Sequence, residues 1–392
     1  MIRSRSDLGR ARRVVVKIGS SLLADAEHGI RQDVIDHLVD EVAGLIASGV
    51  QVAIVTSGSV ALGRVNLNWL DRTLSVHEKQ AAAAIGQPEL MNAYGKAFER
   101  HGLSIAQMLL TKDDLRNRRR YLNTSNTSET LFSAGVVPIV NENDTVVVAE
   151  IKFGDNDSLG ALVSLGVDAD LMIMLTDVSG LYDKNPAKHA DAQRISVITD
   201  LTEEHVAMAG DAGSSFGTGG MASKLTAASV STRGGVPAAI ISGKEPGGLT
   251  RLLAGEDEGT LFLCGEDRQT SRKHWITEVL HAAGQIYVDA GAASALMNDG
   301  GSLLPVGITA VEGMFDKGDC VEIIGAYGVF AKGLCNYTAD EVRQIMGHSS
   351  ENIELILGFH DFSSVIHRDN LVITLDLIDV VGTQPSAVES RV

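Results

Sequence analysis

The segment from residue 13 to residue 59 begins RVVVKIGSS and ends VQVAIVTSGS, and these two ends decide the fold. Each is a β-branched run that stops at glycine and hydroxyl residues, which is typical of a buried strand entering a loop. Between them, apolar residues recur at three- and four-residue spacing and stop before Gly49, as in an amphipathic helix with a glycine C-cap. Strand, helix and strand in this order predict a doubly wound, mostly parallel α/β sheet, whose ligands bind outside the carboxyl ends of its strands.

The same patterns predict the rest of this domain, which we place at residues 13–265. Its further strands are expected at residues 104–110, 135–140, 170–175, 237–241 and 259–263, and its further helices at 77–100, 121–133 and 159–165. The first of these helices is expected to break at Gly86-Gln87-Pro88. Residues 146–151 are expected to form a hairpin.

The chain beyond residue 265 has a different composition. Its polar, charged residues 266–283 are expected to be a linker. Short alternating apolar runs broken by glycine then predict a small β-rich domain over residues 284–370. Its strands are expected at 285–289, 303–306, 318–324 and 328–333, with one helical segment at 340–346. Residues 371–392 are expected to be a loosely ordered tail.

Composition limits the classes of function. The chain has 392 residues, of which 44% are hydrophobic and 4% aromatic, and no apolar run reaches the roughly 18 residues of a membrane span. Three cysteines without metal-ligand spacing indicate neither a disulfide framework nor a zinc site, and together with the lack of an apolar signal region they predict a cytoplasmic protein. A formal net charge of −17 argues against a surface that coats nucleic acid.

Polar residues follow several of the predicted strands. Lys17 lies at the end of the first strand, where an unpaired lysine is rarely buried, so it is either functional or an edge-strand lysine that points to water. Ser57 follows the second strand and could equally be a helix N-cap. Thr176-Asp177 follows the strand at 170–175. If the carboxyl ends of these strands meet at one edge, the polar residues lie together there.

Two clusters are rich in acids and amides: Asn141-Glu142-Asn143-Asp144 and Gly154-Asp155-Asn156-Asp157-Ser158. Together they could hold an ammonium group and a carboxylate. Clusters of Asn, Asp and Gly also form ordinary turns, and their composition alone leaves that alternative open.

The stretch Gly217-Thr218-Gly219-Gly220-Met221-Ala222-Ser223-Lys224 places three glycines ahead of a helical segment and a lysine. Glycine allows close backbone approach, and a helix N-terminus presents unpaired N–H groups, so the stretch predicts a phosphate-binding loop. It does not fit the GxxxxGK[ST] P-loop, and it lacks the preceding strand of a dinucleotide-binding loop. A surface turn with a solvated lysine is the remaining alternative.

Six segments in order, VVVKIGSSLL, IVTSGSVALG, VPIVNENDTV, IKFGDNDSLGAL, LTDVSGLY and GTGGMASKLTAA, closely resemble the amino-acid kinase family, and within it the glutamate 5-kinases. The C-terminal part resembles the PUA domain of those enzymes. The resemblance covers residues 13–369. It implies ATP-dependent phosphorylation of the γ-carboxylate of L-glutamate, the first step of proline biosynthesis, with Mg²⁺ as cofactor.

The resemblance also implies roles for individual residues. Lys17 and Lys224 correspond to the two phosphate-binding lysines of the family, and Asp157 corresponds to the aspartate that positions them. Ser57, Asp144 and Asn156 match its glutamate-binding residues, with Asn141 close by. The ATP contacts that match are Thr176, Asp177, Thr218, Gly219, Gly220, Met221, Ala222, Ser223 and Lys224. Implied partners are proline as a feedback inhibitor, further copies of the chain in a homo-oligomer, and glutamyl-phosphate reductase as recipient of the product.

Two other functions can be weighed against this one. An RNA-binding protein is disfavoured because residues 284–370 carry four Lys and Arg against twelve Asp and Glu, whereas phosphate binding needs clustered cations. The other alternative is a different amino-acid kinase, for aspartate, N-acetylglutamate, carbamate or UMP. Acids in the two polar clusters could receive a free α-ammonium group, which disfavours the N-acetylated and nucleotide substrates, and the C-terminal part resembles a PUA domain and not an ACT-type regulatory module.

Overall fold

The computed structural model describes residues 2–25, 29–146, 155–186, 188–210, 220–265 and 281–374. Two compact units make up the chain, the first formed by most of residues 1–271 and the second by most of residues 272–392. The predicted hairpin after Val146, the loop residues Thr218 and Gly219, most of the predicted linker and the tail beyond Thr374 lie outside the described residues. No helix within the described ranges is long and apolar enough to cross a membrane.

The first unit is built on an eight-stranded sheet, and the sequence pattern predicts all of its strands except the short one at Val197–Ile198. Its strands, numbered in chain order, are β1 (Arg13–Ile18), β4 (Gln51–Val55), β5 (Ile105–Leu110), β6 (Val137–Glu142), β7 (Leu171–Thr176), β8 (Val197–Ile198), β9 (Ala238–Ser242) and β10 (Thr260–Phe262). Their order is β5-β6-β4-β1-β7-β9-β10-β8. All neighbours pair in parallel except β9 and β10, which confirms the mostly parallel sheet. The short strands β2 (Ala24–Asp25) and β3 (Gly29–Ile30) pair with each other.

Helices cover both faces of this sheet. They are α1 (Ser20–Leu23), α2 (Gln32–Ala47), α3 (Ser59–Asn66), α4 (Val76–Glu99), α5 (Lys112–Arg116), α6 (Arg118–Ser133), α7 (Asp155–Gly166), α8 (Glu203–Gly210), α9 (Met221–Arg233) and α10 (Gly248–Leu253). Ile18 of β1 packs in one core with Leu38 of α2. The side chain of the preceding residue, Lys17, lies on the opposite face of the sheet, next to α7. The sheet is therefore buried on both sides, which explains the continuous apolar runs of its strands.

The second unit is a smaller, mostly antiparallel sheet with the order β12-β11-β13-β14-β15. Its strands are β11 (Gly284–Val288), β12 (Ile308–Gly313), β13 (Cys320–Gly325), β14 (Gly328–Leu334) and β15 (Leu371–Ile373). The helices α11 (Ala290–Asn298), α12 (Ala339–Ile345) and α13 (Ile353–Leu357) accompany it. Apolar residues of the sheet and of all three helices form one core, so this unit has its own hydrophobic centre.

Several local predictions are wrong. The break expected in α4 is absent: Ala84 and Pro88 are both exposed, so the carbonyl that Pro88 leaves without a helical partner lies on the open side of the helix. Residues 303–306 form a single bridge and a 3-10 turn at Pro305 instead of a strand, since proline cannot donate to a ladder. Residues 371–373, assigned to the tail, pair with the open edge of β14 and bury Leu371.

Candidate active site

Two lysines meet one aspartate at the carboxyl edge of the large sheet, and with Ser223 we call these residues the lysine cluster. Lys17 comes from β1, Asp157 from the first turn of α7, and Lys224 from the first turn of α9. Lys17 Nζ donates to Asp157 Oδ1, Ser223 Oγ donates to Asp157 Oδ2 at 2.7 Å, and Lys224 Nζ lies 3.5 Å from the same oxygen. Asp157 is fully buried, and the lysines are 4% and 6% exposed.

Close packing of α7 on β1 brings these residues together. A Cβ at Gly160 would stand 2.9 Å from Met172 Cε and 3.3 Å from Lys17 Cβ, so a larger residue there would crowd both side chains where the helix packs on the sheet. Asp157 lies three residues earlier on the same helix, where it meets the end of the Lys17 side chain. A lysine that is buried in a strand is thus paired, as its burial requires.

The charges of the cluster determine the pKa values of its members. Burial by itself would raise the pKa of Asp157, but Lys17 and Lys224, with hydrogen bonds from Lys17 and Ser223, hold that pKa below its usual value. Burial lowers the pKa of Lys17 the most, and repulsion from Lys224 also lowers it. The negative charge of Asp157 raises it in part. One carboxylate faces two ammonium groups, so an anion placed beside them would be attracted by the remaining positive charge.

Neutral hydrogen-bonding groups extend from the cluster along the sheet edge, and we call Ser57, Gln87, Asn141 and Asn156 the amide chain. Asn156 Nδ2 donates to Asn141 Oδ1 at 3.0 Å, to Ser57 Oγ at 3.1 Å and to Thr56 O at 2.6 Å. Asn141 Nδ2 donates to Gln87 Oε1 at 2.7 Å. Asn156 precedes Asp157 on α7, so the amide chain and the lysine cluster are joined through one helical turn.

Two carboxylates lie beside this chain, Glu142 at the end of β6 and Asp144 two residues later, and we call them the acidic pair. Burial, followed by the charge of Asp144, raises the pKa of Glu142 to about 7, and Lys112 opposes the shift. Burial also raises the pKa of Asp144, although Ser59 Oγ donates to its Oδ2 at 3.2 Å. Both carboxyl groups line a cavity of about 370 Å³ together with Ser59 and Gln87.

The structure brings together most of the residues singled out by the sequence. Lys17, Asp157, Ser223 and Lys224 meet in one cluster, and Ser57, Asn141 and Asn156 form one hydrogen-bonded chain that lies beside Asp144. Thr176 ends β7, where its hydroxyl donates to Asp177 Oδ1 at 3.1 Å. Gly220, Met221 and Ala222 form the start of α9, whose N-cap is Gly220. Thr218 and Gly219 lie outside the described residues.

Sequence analysis assigns no individual role to two residues of the site, Glu142 and Gln87. Asn141 and Glu142 are the last residues of β6 rather than part of a loop after it, so the inward direction of the Asn141 side chain and the burial of Glu142 follow from the strand. The sequence pattern predicts a helix break at Gln87, whereas this residue lies inside α4 and its Oε1 accepts a hydrogen bond from Asn141. Glu142 directly continues the apolar run predicted as a strand, which could have indicated its burial, but no local signal points to Gln87.

The residues of the site fit a metal ion that is held mostly by a bound substrate and less by protein side chains. Within the described ranges no group of three or more His, Cys, Asp or Glu side chains is arranged to hold a metal ion. Mg²⁺ commonly keeps several waters and is bound through one or two carboxylates and substrate phosphates, so this donor set is compatible with an ion that arrives with a triphosphate.

The family model and the sequence relatives agree on one family. The model of the amino acid kinase family matches residues 12–242, and that of the PUA domain matches residues 284–357. The glutamate 5-kinase of Trichlorobacter lovleyi is 51% identical over 370 residues, covering 94% of this chain and 98% of that protein. The glutamate 5-kinase of Geobacter sulfurreducens is 48% identical and that of Thioalkalivibrio sulfidiphilus 47%, over 93% and 95% of this chain and 98% and 100% of theirs. A solved structure of isopentenyl phosphate kinase matches 64% of this chain and 99% of that one, at 21% identity and a TM-score of 0.45.

Proposed function

The chain belongs to the amino acid kinase family, and within it to the glutamate 5-kinases with a PUA domain, and from this premise we propose how its site works. The site transfers the γ-phosphate of ATP to the γ-carboxylate of L-glutamate and forms L-glutamyl 5-phosphate, the first step of proline biosynthesis. One observation carries this mechanism: two buried lysines converge on one buried aspartate at the edge of the sheet where ligands bind.

The chemistry needs charge compensation more than it needs a base. The glutamate side chain has an ordinary pKa near 4.3, so at neutral pH its carboxylate is already an ionised nucleophile. Its approach to the γ-phosphate is opposed by repulsion between anions. Lys17 and Lys224, held in place by Asp157, supply positive charge that is preorganised before the reaction, which stabilises a loose phosphoryl-transfer transition state.

Each lysine has a separate part in this proposal. Lys224 lies in the first turn of α9 and serves the leaving phosphates, which the N-terminus of this helix also attracts. Lys17 serves the transferring phosphoryl group from β1. Thr176, Asp177 and residues 218–223 complete the ATP site.

The amide chain and the acidic pair hold the amino acid. Asp144 receives the α-ammonium group, because it is the partly buried carboxylate next to the hydrogen-bonding side chains. Ser57, Asn141 and Asn156 supply neutral hydrogen bonds that orient the substrate toward the lysine cluster. This arrangement favours a free amino acid over one whose nitrogen is acetylated.

Mg²⁺ is the proposed cofactor, and it would be held by the phosphates of ATP with the carboxylates near the lysine cluster. When bound, it neutralises charge on the β- and γ-phosphates. We also propose that proline inhibits the enzyme, that the chain forms a homo-oligomer in the cytoplasm, and that glutamyl-phosphate reductase receives the acyl phosphate. RNA is not a proposed ligand of the acidic second unit.

A trapping assay tests this function. The protein is incubated with Mg-ATP and a panel containing L-glutamate, L-aspartate and N-acetyl-L-glutamate, and any acyl phosphate is captured with hydroxylamine as a coloured hydroxamate. We expect strong hydroxamate formation with L-glutamate, and much less with the other two. A larger signal with another acceptor, or none with L-glutamate, would contradict the proposed substrate.

A further inference from the structure

The orientation of the Asn141 side chain follows from its hydrogen bonds. The backbone N–H of Glu142 donates to Asn141 Oδ1 at 2.9 Å, and since an N–H can only donate, the atom that it meets must be the oxygen. The other end of the amide, Nδ2, therefore faces Gln87 and donates to its Oε1. Gln87 in turn must present its oxygen to Asn141 and its NH₂ group elsewhere.

Among the described residues, nothing accepts a hydrogen bond from that NH₂ group. Gln87 Nε2 is buried and makes no hydrogen bond within the part of the chain that the structure describes. Leaving a buried donor unpaired destabilises a folded protein, and such groups are rare unless a ligand or water completes them. The side chain also lines the 370 Å³ cavity, whose other walls include both members of the acidic pair.

The position of Gln87 is built into the packing of α4. A Cβ at the preceding residue, Gly86, would stand 2.0 Å from Ser59 O, so only glycine lets α4 lie against the start of α3. Ser59 also donates to Asp144, so the same close contact holds Gln87 beside the residue that receives the ammonium group in the proposed function.

From these observations we infer that Gln87 binds the α-carboxylate of the amino-acid substrate through its Nε2, while its Oε1 holds Asn141 in place. An α-amino acid carries a carboxylate next to its ammonium group, which matches an amide donor placed beside two carboxylates in one cavity. The inference rests on the proposed function and assigns a specificity-determining contact to a residue of α4.

The test compares L-glutamate with 4-aminobutanoate, which keeps the ammonium group and the reacting carboxylate but lacks the α-carboxylate. The variant Gln87→Met removes the amide. We expect kcat/KM for L-glutamate to fall about tenfold or more, mainly through KM, as for a lost hydrogen bond to a charged group. For 4-aminobutanoate we expect a clearly smaller fall in the same variant, because only the support of Asn141 is lost there and not a contact with an α-carboxylate.

A second variant separates the two ends of the amide. Gln87→Glu keeps an oxygen for Asn141 and replaces the donor with a second oxygen, so we expect it also to lose L-glutamate selectively. Asn92→Met, on an exposed position of the same helix, is the matched control and is expected to behave as the wild type. ATP affinity and the thermal unfolding midpoint of each variant verify that the fold is intact.

Three outcomes would overturn the inference. Equal losses for both acceptors would mean that Gln87 acts only by holding Asn141 or α4. Unchanged kinetics of Gln87→Met, or wild-type use of L-glutamate by Gln87→Glu, would show that Nε2 makes no contact with the substrate. All three are distinct from failure of the proposed function, in which the wild-type protein itself would not phosphorylate L-glutamate.

Discussion

Asp157 and Glu142 are both buried carboxylates at the same edge of one sheet, yet their pKa values move in opposite directions. Asp157 has two ammonium groups beside it, and its pKa is lowered although it is fully buried. Glu142 has another carboxylate beside it, and its pKa is raised to about 7. Burial raises the pKa of both carboxyl groups, so the charges of the neighbouring side chains determine the difference.

The difference separates the two halves of the site. In the lysine cluster the two ammonium groups favour the ionised form of Asp157, which pairs with both of them, and such a cluster suits the phosphate end of the proposed site. In the acidic pair, two carboxylates share a cavity, and among the described residues Lys112 is the cation that acts on Glu142, so the pair suits a positively charged group such as the ammonium of the proposed substrate. The predictions below change one half at a time.

The largest effect is expected from Asp157→Asn, which leaves two buried ammonium groups without their counter-charge. Breaking a buried ion pair from one side costs about 3–5 kcal/mol, so the free energy of unfolding in urea should fall by that amount. Activity should be lost in the same variant. Asp113→Asn, at an exposed position of α5, is the control. A change below about 1 kcal/mol, on the scale of an exposed pair, would show that Asp157 does not neutralise the lysines.

Glu142 should make the protein less stable as the pH rises. Its folded-state pKa is raised to about 7, so between roughly pH 4.5 and 7 the folded state binds more protons than the unfolded state, and the free energy of unfolding falls with increasing pH. At about 1.4 kcal/mol per pKa unit, Glu142→Gln should gain about 3 kcal/mol on the wild type between pH 5 and pH 8. Urea unfolding at both pH values measures this gain. Asp157 should act in the opposite sense, losing its contribution only on acidification, and a gain of Glu142→Gln at low pH instead would reverse the assignment.

Lys17→Ala and Lys224→Ala should each lower kcat by about 10²-fold, because each removes a preorganised charge that acts most strongly in the transition state. The KM for L-glutamate should change less. Lys96→Ala, at an exposed position of α4, serves as the control in the same hydroxamate assay. Near-normal kcat in either active-site variant would remove that lysine from the phosphate end of the site.

Asp144→Asn should weaken L-glutamate binding by about ten- to two-hundredfold, as expected when one charged hydrogen bond is lost. ATP affinity should be unchanged, since the lysine cluster is untouched. Isothermal titration with each ligand measures both constants. If ATP binding weakened equally, the two halves of the site would not be independent.

The smallest effect is expected from Lys112→Met. Lys112 lowers the pKa of Glu142, so its removal should raise that pKa further, and only slightly, because the two charges form a partly exposed pair. The midpoint of the pH dependence of stability, compared with that of Glu142→Gln, measures the shift. A downward shift would mean that Asp144, rather than Lys112, had changed its position.

Sequence periodicity was sufficient for elements whose pattern is local. The strand at Arg13–Ile18, the helix at Gln32–Ala47 with Gly49 just beyond its end, and the helix at Ala339–Ile345 occur where apolar spacing predicts them. It failed where an element depends on distant contacts. Helix α4 continues through Gly86 because that glycine packs against Ser59, and β15 exists because β14 offers an open edge.

The sequence by itself determined which residue types reach the carboxyl edge of the sheet, because strand ends and their polar residues are adjacent along the chain. Lys17, Asn141 and Thr176 could all be placed there in advance. Only the tertiary structure decided which residues face one another. The pairing of Asp157 with two lysines, the raised pKa of Glu142 and the contact of Gln87 with Asn141 each join residues from separate elements. Burial and neighbouring charge arise when strands and helices pack, so such properties are absent from any local pattern.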